Sequence, residues 1–320
     1  MLLDLILLAA GLGLIAKGGD LFVDSSVHIG RALNVPRFII GGTLVSLATT
    51  APELVVSSTA SSMGDSGIAL GNAVGSCICN IGLIVGTVAL MTPVGAEPRD
   101  FANRAAWMSA GGVLVVLFTL DRSMDRSLSV ILLLLAFAYL LWDYRAIRRI
   151  RAAHQATQGS SSDREGLLGS IGLFALGAVL IIGGSQLLVV SGQSVAAALG
   201  IPSAIIGFSV IAIGTSLPEL VTGVSAARKG VPELSLGNII GANVLNLLLI
   251  VGLSGTIQPL ALEAFTQWYA FPWMGAFFGA VIVLVRRNGH VGARAGVGLL
   301  VAYVLYMLGL VVAPLLGLAS

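Results

Sequence analysis

The chain has 320 residues, 57% of them hydrophobic and only 10% charged, and a net charge of +2. Soluble domains run at about 25% charged residues, so this composition describes a chain built almost wholly of membrane-spanning segments. It leaves no soluble domain large enough to be an enzyme or a regulatory module, and it gives no sign of a bound cofactor or a nucleic-acid partner.

Ten apolar stretches follow one another, near residues 2–24, 37–61, 67–92, 103–120, 128–146, 167–191, 203–227, 233–256, 267–285 and 295–315. They predict an all-α polytopic protein, multi-pass in the cell (inner or plasma) membrane and surrounded by lipid bilayer. The opening segment has no basic region, and Asp4 sits where one would be, so it reads as the first spanning helix rather than a signal peptide. That stretch also carries Lys17, Asp20 and Asp24, which places its second half near an interface. Glycine is abundant, at 41 residues, which suits helices that approach closely. Cys77 and Cys79 are two apart and face different sides of a helix. They cannot pair with each other and read as small apolar filler. The longest polar stretch, 145–166, reads as a flexible cytoplasmic linker. It divides the chain into 1–146, the linker 147–166, and 167–320.

The two parts repeat each other. Residues 36–86 and 202–252, aligned at a constant offset of 166 without gaps, share 20 identities in 51 positions. The matches include Pro52/Pro218, Glu53/Glu219, Thr49/Thr215, Asn72/Asn238, Gly75/Gly241 and Asn80/Asn246. Chance similarity between apolar stretches supplies Leu, Ile and Val matches, not polar residues and prolines in register. Each part holds five spans, and an odd number means that the second enters the membrane from the opposite side. With the N-terminus outside, 15 of the 17 Lys and Arg residues fall inside, Arg104 among them, and only Arg122 and Arg126 fall outside. The fold expected is ten transmembrane helices in two inverted five-helix repeats, with both termini outside.

Inverted repeats with broken helices at the midplane belong to secondary transporters. Pro52 and Pro218 lack an N–H, so the carbonyls of Ala48 and Gly214 lose their helical partners. Free carbonyls at that depth are tolerated where they line a polar cavity. A carboxylate at the bilayer centre costs roughly 2.5–3.5 kcal/mol on insertion scales, so Glu53 and Glu219 read as functional. Ser46, Thr49, Thr50, Glu53 and Ser57 share one helical face; Ala212, Thr215, Ser216, Glu219 and Gly223 repeat it with fewer hydroxyls. The next spans add Asn72, Ser76 and Asn80, then Asn238, Ala242 and Asn246. Every group offered is an oxygen donor, which suits Ca²⁺ or Na⁺ rather than zinc or copper. Two glutamates neutralise one Ca²⁺.

The segments Thr49–Thr50–Ala51–Pro52–Glu53–Leu54 and Gly214–Thr215–Ser216–Leu217–Pro218–Glu219–Leu220, with the Gly–Asn runs starting at Gly71 and Gly237, resemble the two alpha-repeats of the cation/calcium exchanger superfamily. The chain is most similar to its sodium/calcium exchanger branch in the short prokaryotic form. That resemblance implies countertransport of Na⁺ and Ca²⁺ as substrates, by alternating access at one central site cluster. It implies Glu53 and Glu219 as the central Ca²⁺ ligands, shared with Na⁺, and backbone carbonyls of Thr49 and Thr215 as Ca²⁺ ligands. Ser46, Thr50, Ser76, Ala212 and Ser216 would line flanking Na⁺ positions, with Asn80 and Asn246 closing the middle one. Some members carry Asp where this chain has Asn246, and a hydroxyl is common where it has Ala242. Two central carboxylates rather than three lean against K⁺ co-transport. The Thr–x–x–Pro–Glu pattern differs from the Gly–Asn–x–x–Glu of the proton-coupled branch.

Some polar residues carry plainer readings. Ser57, Ser58 and Thr59 suit packing or bonding to the i−4 carbonyl. Asn72 and Asn238 suit helix capping as well as they suit ion binding. Asp20 and Asp24, with no counterparts in the second part, suit interfacial solvation. The competing functions are a proton-coupled Ca²⁺ antiporter, whose glutamates titrate instead of binding Na⁺, and a cation channel. Channels gather their selectivity around an oligomer axis, whereas this one chain holds a whole pseudo-symmetric site. A monomer therefore suffices, and the oligomeric state stays open.

Overall fold

The computed structural model describes residues 2–158, 166–198, 212–262 and 264–315. Ten helical rods run through them. They are α1 (Leu2–Ala32), α2 (Arg37–Thr49 and Ala51–Ser62), α3 (Ser66–Met91), α4 (Pro98–Phe118) and α5 (Arg126–Gln158), then α6 (Leu167–Ala198), α7 (Ala212–Thr215 and Leu217–Arg228), α8 (Pro232–Ile257), α9 (Thr266–Asn288) and α10 (Ala293–Leu315). Two expectations shift at the edges. The first span does not stop near residue 24 but continues to Ala32, and α5 carries a helix well into the expected linker, as far as Gln158. The seventh span begins outside the described residues, as do its repeat positions Pro202 and Gly207.

Four two-residue strands tie the connections together: β1 (Val94–Gly95), β2 (Ser123–Met124), β3 (Leu260–Ala261) and β4 (His290–Val291). β1 pairs antiparallel with β4, Val94 opposite Val291; β2 pairs with β3, Met124 opposite Leu260. Shifting Val94 by 166 gives Leu260, and shifting Met124 by 167 gives Val291, so each ladder is the image of the other. The chain thus carries a two-fold axis that exchanges its halves and its membrane faces. β1 and β4 lie in connections that the charge bias puts inside, and β2 and β3 in connections that it puts outside. The inverted five-plus-five arrangement is therefore in place, with the N- and C-terminal ends outside.

Glycines carry the same symmetry into the packing. α1 and α6, of 31 and 32 residues, are each about 47 Å long at 1.5 Å per residue, against a hydrocarbon core of about 30 Å. They tilt or project, and they cross each other. A methyl on Gly18 would approach the Gly177 carbonyl at 3.0 Å, and one on Gly184 the Gly11 carbonyl at 2.8 Å. These two contacts are repeat images. Deeper in, Gly86 of α3 admits Leu300 and Gly296 of α10, and Gly252 of α8 admits Leu133 and Ser129 of α5. Small residues let backbones approach where lipid supplies no hydrophobic drive between helices.

α3 and α8 are the most enclosed rods and form the centre with α2 and α7. The inner half of α2 meets α8 backbone to backbone. A methyl on Gly41 would strike the Leu234 carbonyl, and one on Gly237 the Phe38 carbonyl. The pair α1–α6 lies over one side of this centre, with Phe22, Ala178, Ile181 and Ile182 closing on Ala48, Thr49 and Pro218. Gly237→Ala should therefore destabilise the protein by about 1–3 kcal/mol. In detergent it should lower the thermal unfolding midpoint measurably. Gly13→Ala, which meets nothing within 4 Å among the described residues, should leave the midpoint in place or raise it.

Candidate ion-binding site

In α2 and α7 the first helical part stops at Thr49 and at Thr215, three residues before Pro52 and Pro218. Thr50 has φ −80° and ψ 0°, and Ser216 has φ −86° and ψ 5°, outside helical geometry in the sparsely allowed bridge region. The two parts of α2 meet at a 44° bend. Pro52 and Pro218 then occupy the first turn of a new helix, where the absent N–H removes nothing. Glu53 and Glu219 follow in that same first turn, where the positive end of the helix dipole favours a carboxylate. A proline in mid-membrane therefore makes a helix N-terminus at depth and puts an acid on it.

Both acids are 1% exposed. The Ser76 and Ser216 hydroxyls each reach Glu53 Oε1 at 3.5 Å, and they lie 3.3 Å from each other. Glu53 Oε2 and both carboxylate oxygens of Glu219 have no hydrogen-bond partner among the described residues. Ion pairing does not account for them either: none of the described salt bridges involves Glu53 or Glu219.

The flanking threonines are held as symmetry images. Thr49 Oγ1 donates to Asn238 Oδ1 at 3.1 Å, and Thr215 Oγ1 to Asn72 Oδ1 at 3.1 Å. The Asn72 amide donates onward to the Glu53 carbonyl at 3.3 Å and to Ser57 Oγ at 3.0 Å. Asn238 has no such outlet, because Gly223 stands where the first half has Ser57, and its amide nitrogen is unpartnered among the described residues. Likewise Ser76 has Ala242 as its counterpart, which leaves Glu219 with fewer hydroxyls than Glu53.

These contacts correct two earlier readings. Asn72 and Asn238 do not cap helices: the N-cap positions are Asp65 and Val231, and the two asparagines lie inside α3 and α8. Ser57 does not simply pack, since it receives the Asn72 amide. Of the expected flanking residues, Ser46 and Thr50 are buried, but their hydroxyls donate to the carbonyls of Thr43 at 3.0 Å and Ser46 at 2.5 Å. Asn80 donates to Asn243 Oδ1 at 2.9 Å. Its own Oδ1, and both polar atoms of Asn246, are unpartnered among the described residues. Asn80 and Asn246 each open a π-helical stretch, Asn80–Val85 and Asn246–Ile250, a local widening that concentrates at functional sites. The Ala212 side chain is outside the described residues.

Three further partnerships escaped the sequence. Asn243 stands opposite Cys77 in the repeat, so nothing in the alignment marked it. Asp20 and Asp24 are exposed, as expected, but they also pair with Lys229, the residue that caps the end of α7, at 3.7 and 2.6 Å. Arg104, counted among the interfacial charges, is instead 1% exposed and bonded to the buried Asp143. Among the described residues no group of three or more His, Cys, Asp or Glu is arranged for a metal. The buried polar side chains that meet around Glu53 and Glu219 offer carboxylate, hydroxyl and amide groups, a set for a hard cation.

The family model for the sodium/calcium exchanger protein matches residues 3–145 and 169–312. The chain belongs to this family. Sodium/calcium exchanger MaX1 of Methanosarcina acetivorans is 33% identical over 95% of this chain and 97% of its own length. Inner membrane protein YrbG of Escherichia coli is 32% identical over 96% of each. The solved sodium-calcium exchanger NCX_Mj, soaked with Na⁺ and Sr²⁺, superposes with a TM-score of 0.83 at 28% identity, over 96% of this chain and 98% of that one. The same exchanger soaked free of Na⁺ and Ca²⁺ gives 0.81. The chain is accordingly a multi-pass membrane carrier, not an enzyme.

The Ser76/Ala242 difference can be tested within the exchanger fold. Ser76→Ala should weaken Na⁺ binding and Ala242→Ser should strengthen it. Each should change the Na⁺ concentration for half-maximal exchange by about fivefold, as one net hydrogen bond of about 1 kcal/mol implies. Na⁺ titration of ⁴⁵Ca²⁺ flux reads both.

Proposed function

We propose that this protein is a secondary antiporter that exchanges Na⁺ for Ca²⁺ at one midplane site centred on Glu53 and Glu219. The observation that carries the reading is the pair of enclosed carboxylates, 1% exposed, with three of their four oxygens unpartnered among the described residues. A buried charge without a partner carries a penalty of several kcal/mol, roughly, even after relaxation. Ca²⁺ takes about 6–8 oxygens and brings two positive charges, which matches two carboxylates and the surrounding hydroxyls and carbonyls. Na⁺ takes the same class of donor with half the charge, so more than one is needed to neutralise the site.

Exchange follows from that charge balance. With either load the centre is close to neutral and can be closed off from water on both sides. Empty, it holds two negative charges, and enclosing them in a low-dielectric barrier is costly. Reorientation is therefore confined to loaded states, and one ion species leaves only when the other replaces it. The inverted halves supply two equivalent end states: what the first half does at the inner face, the second does at the outer. In this reading Thr49 and Thr215 hold the helix breaks open through Asn238 and Asn72, and their carbonyls face the ion. Ser46, Thr50, Ser76, Ala212, Ser216, Asn80 and Asn246 mark the flanking Na⁺ positions.

The test is Ca²⁺ uptake into Na⁺-loaded proteoliposomes. Uptake should require the outward Na⁺ gradient and survive a protonophore. Uptake that needs a pH gradient and no Na⁺ would establish the proton-coupled alternative instead. Glu53→Gln and Glu219→Gln should each reduce Ca²⁺ uptake at least a hundredfold in protein that still elutes as a folded species. Unchanged uptake in either would remove that residue from the site.

A further inference from the structure

Asn243 of α8 is fully buried and lies between Met108 of α4 and Asn80 of α3. Its Nδ2 donates to the Met108 sulfur at 3.6 Å, and its Oδ1 accepts from Asn80 Nδ2 at 2.9 Å. The order of these contacts follows from the methionine. A thioether carries no hydrogen and can only accept, so the amide nitrogen of Asn243 belongs on that side and its oxygen on the other. Asn80 must then present its own nitrogen to Asn243. Its oxygen is turned away, buried and unpartnered among the described residues.

That oxygen lies on the face of α3 that serves the ion site. Asn72, Ser76 and Asn80 follow one another at intervals of four residues, which keeps them on one side of a helix. The first two already touch Glu53, Asn72 at its carbonyl and Ser76 at Oε1. An amide oxygen at the third position is a neutral hard donor, of the class that Na⁺ and Ca²⁺ accept. Reversed, the same amide would present N–H groups, which repel a cation. The other half shows the arrangement without its support. Asn246 takes the place of Asn80, Met274 that of Met108, and Cys77 that of Asn243. The Cys77 thiol donates to the Asn243 carbonyl at 3.8 Å, and both polar atoms of Asn246 are unpartnered among the described residues.

We infer that Asn243 is a positioning residue for ion selection: it holds the Asn80 amide with its oxygen toward the ion cluster and so favours Na⁺ relative to Ca²⁺. Asn246, with cysteine in the supporting place, is not held in this way. The bias toward Na⁺ follows from the supply of donors. One Ca²⁺ draws on both carboxylates at once. More than one Na⁺ must share the same two carboxylates, so each depends more on neutral oxygens such as that of Asn80. Loss of the orientation therefore weakens the Na⁺ load more than the Ca²⁺ load.

The inference rests on Na⁺/Ca²⁺ exchange at the central site. Its test is the half-maximal concentration of each ion, measured separately by ⁴⁵Ca²⁺ flux in proteoliposomes. Asn243→Leu keeps a branched side chain and removes the acceptor. It should raise the Na⁺ value about fivefold, as the loss of one net hydrogen bond implies, and the Ca²⁺ value by less than about twofold. Asn243→Cys copies the residue that the other half carries in this place. It should give the same shift, and it serves where the leucine variant fails to fold. In an Asn80→Ala background there is no amide to orient, so neither substitution should move the ratio of the two values further. General loosening of the helices would move both ions alike, so the ratio separates orientation from a merely structural role. A ratio that keeps its wild-type value in a folded variant, or moves in favour of Na⁺, would overturn the role of Asn243. So would a second shift of the same size on top of Asn80→Ala. Wild-type vesicles that show no Na⁺-dependent Ca²⁺ exchange would instead overturn the exchange reading beneath it.

Discussion

The constraint on which the structure depends is the burial of two carboxylates in a medium that cannot solvate them. Glu53 and Glu219 are enclosed by protein, and three of their oxygens find no partner among the described residues. A fold evolved for stability alone would pair or remove them, because uncompensated buried charge is among the most destabilising features a protein can carry. Their retention makes sense when the missing partner is a cation that comes and goes. The helix breaks, the glycine contacts and the threonine–asparagine bridges all serve to keep these two acids at depth and facing a common place.

The two-fold axis is carried by backbone contacts more than by side-chain identity. The ladders β1–β4 and β2–β3, the crossings at Gly11, Gly18, Gly177 and Gly184, and the contacts at Gly86 and Gly252 are images of one another. Close backbone approach tolerates no change of size, so these contacts preserve the symmetry while the surfaces around them diverge. The departures then stand out. Ser57 against Gly223 and Ser76 against Ala242 make the halves chemically unequal within an equal frame.

Much of this was legible before any coordinates. The inverted repeat, the ten spans, the helix breaks at Pro52 and Pro218 and the two central acids came from spacing and charge, because hydrophobic length and a buried carboxylate leave strong local signals. Asn72 and Asn238 were visible as repeat identities, but the residue type is equally at home at a helix cap, and only the position of Asp65 as the true cap removed that reading. Arg104 was misplaced because charge counting treats every arginine near a helix end as interfacial. Its partner Asp143 is 39 residues away in sequence, and no local pattern links them.

The sequence by itself determined that the chain spans the membrane in two opposed halves and that each half delivers one glutamate to the interior. Those are properties of segments: apolar length, charge bias and proline chemistry act within a turn or two of the helix. Which polar atoms meet was decided only by the tertiary structure. Thr49 reaches Asn238 across 189 residues, and Arg104 leans on Phe38 and Gly42 because α4, α5 and α2 are packed side by side. Such partnerships depend on where helices cross, and a helix crossing is fixed by the fit of whole surfaces, which no single stretch of sequence contains.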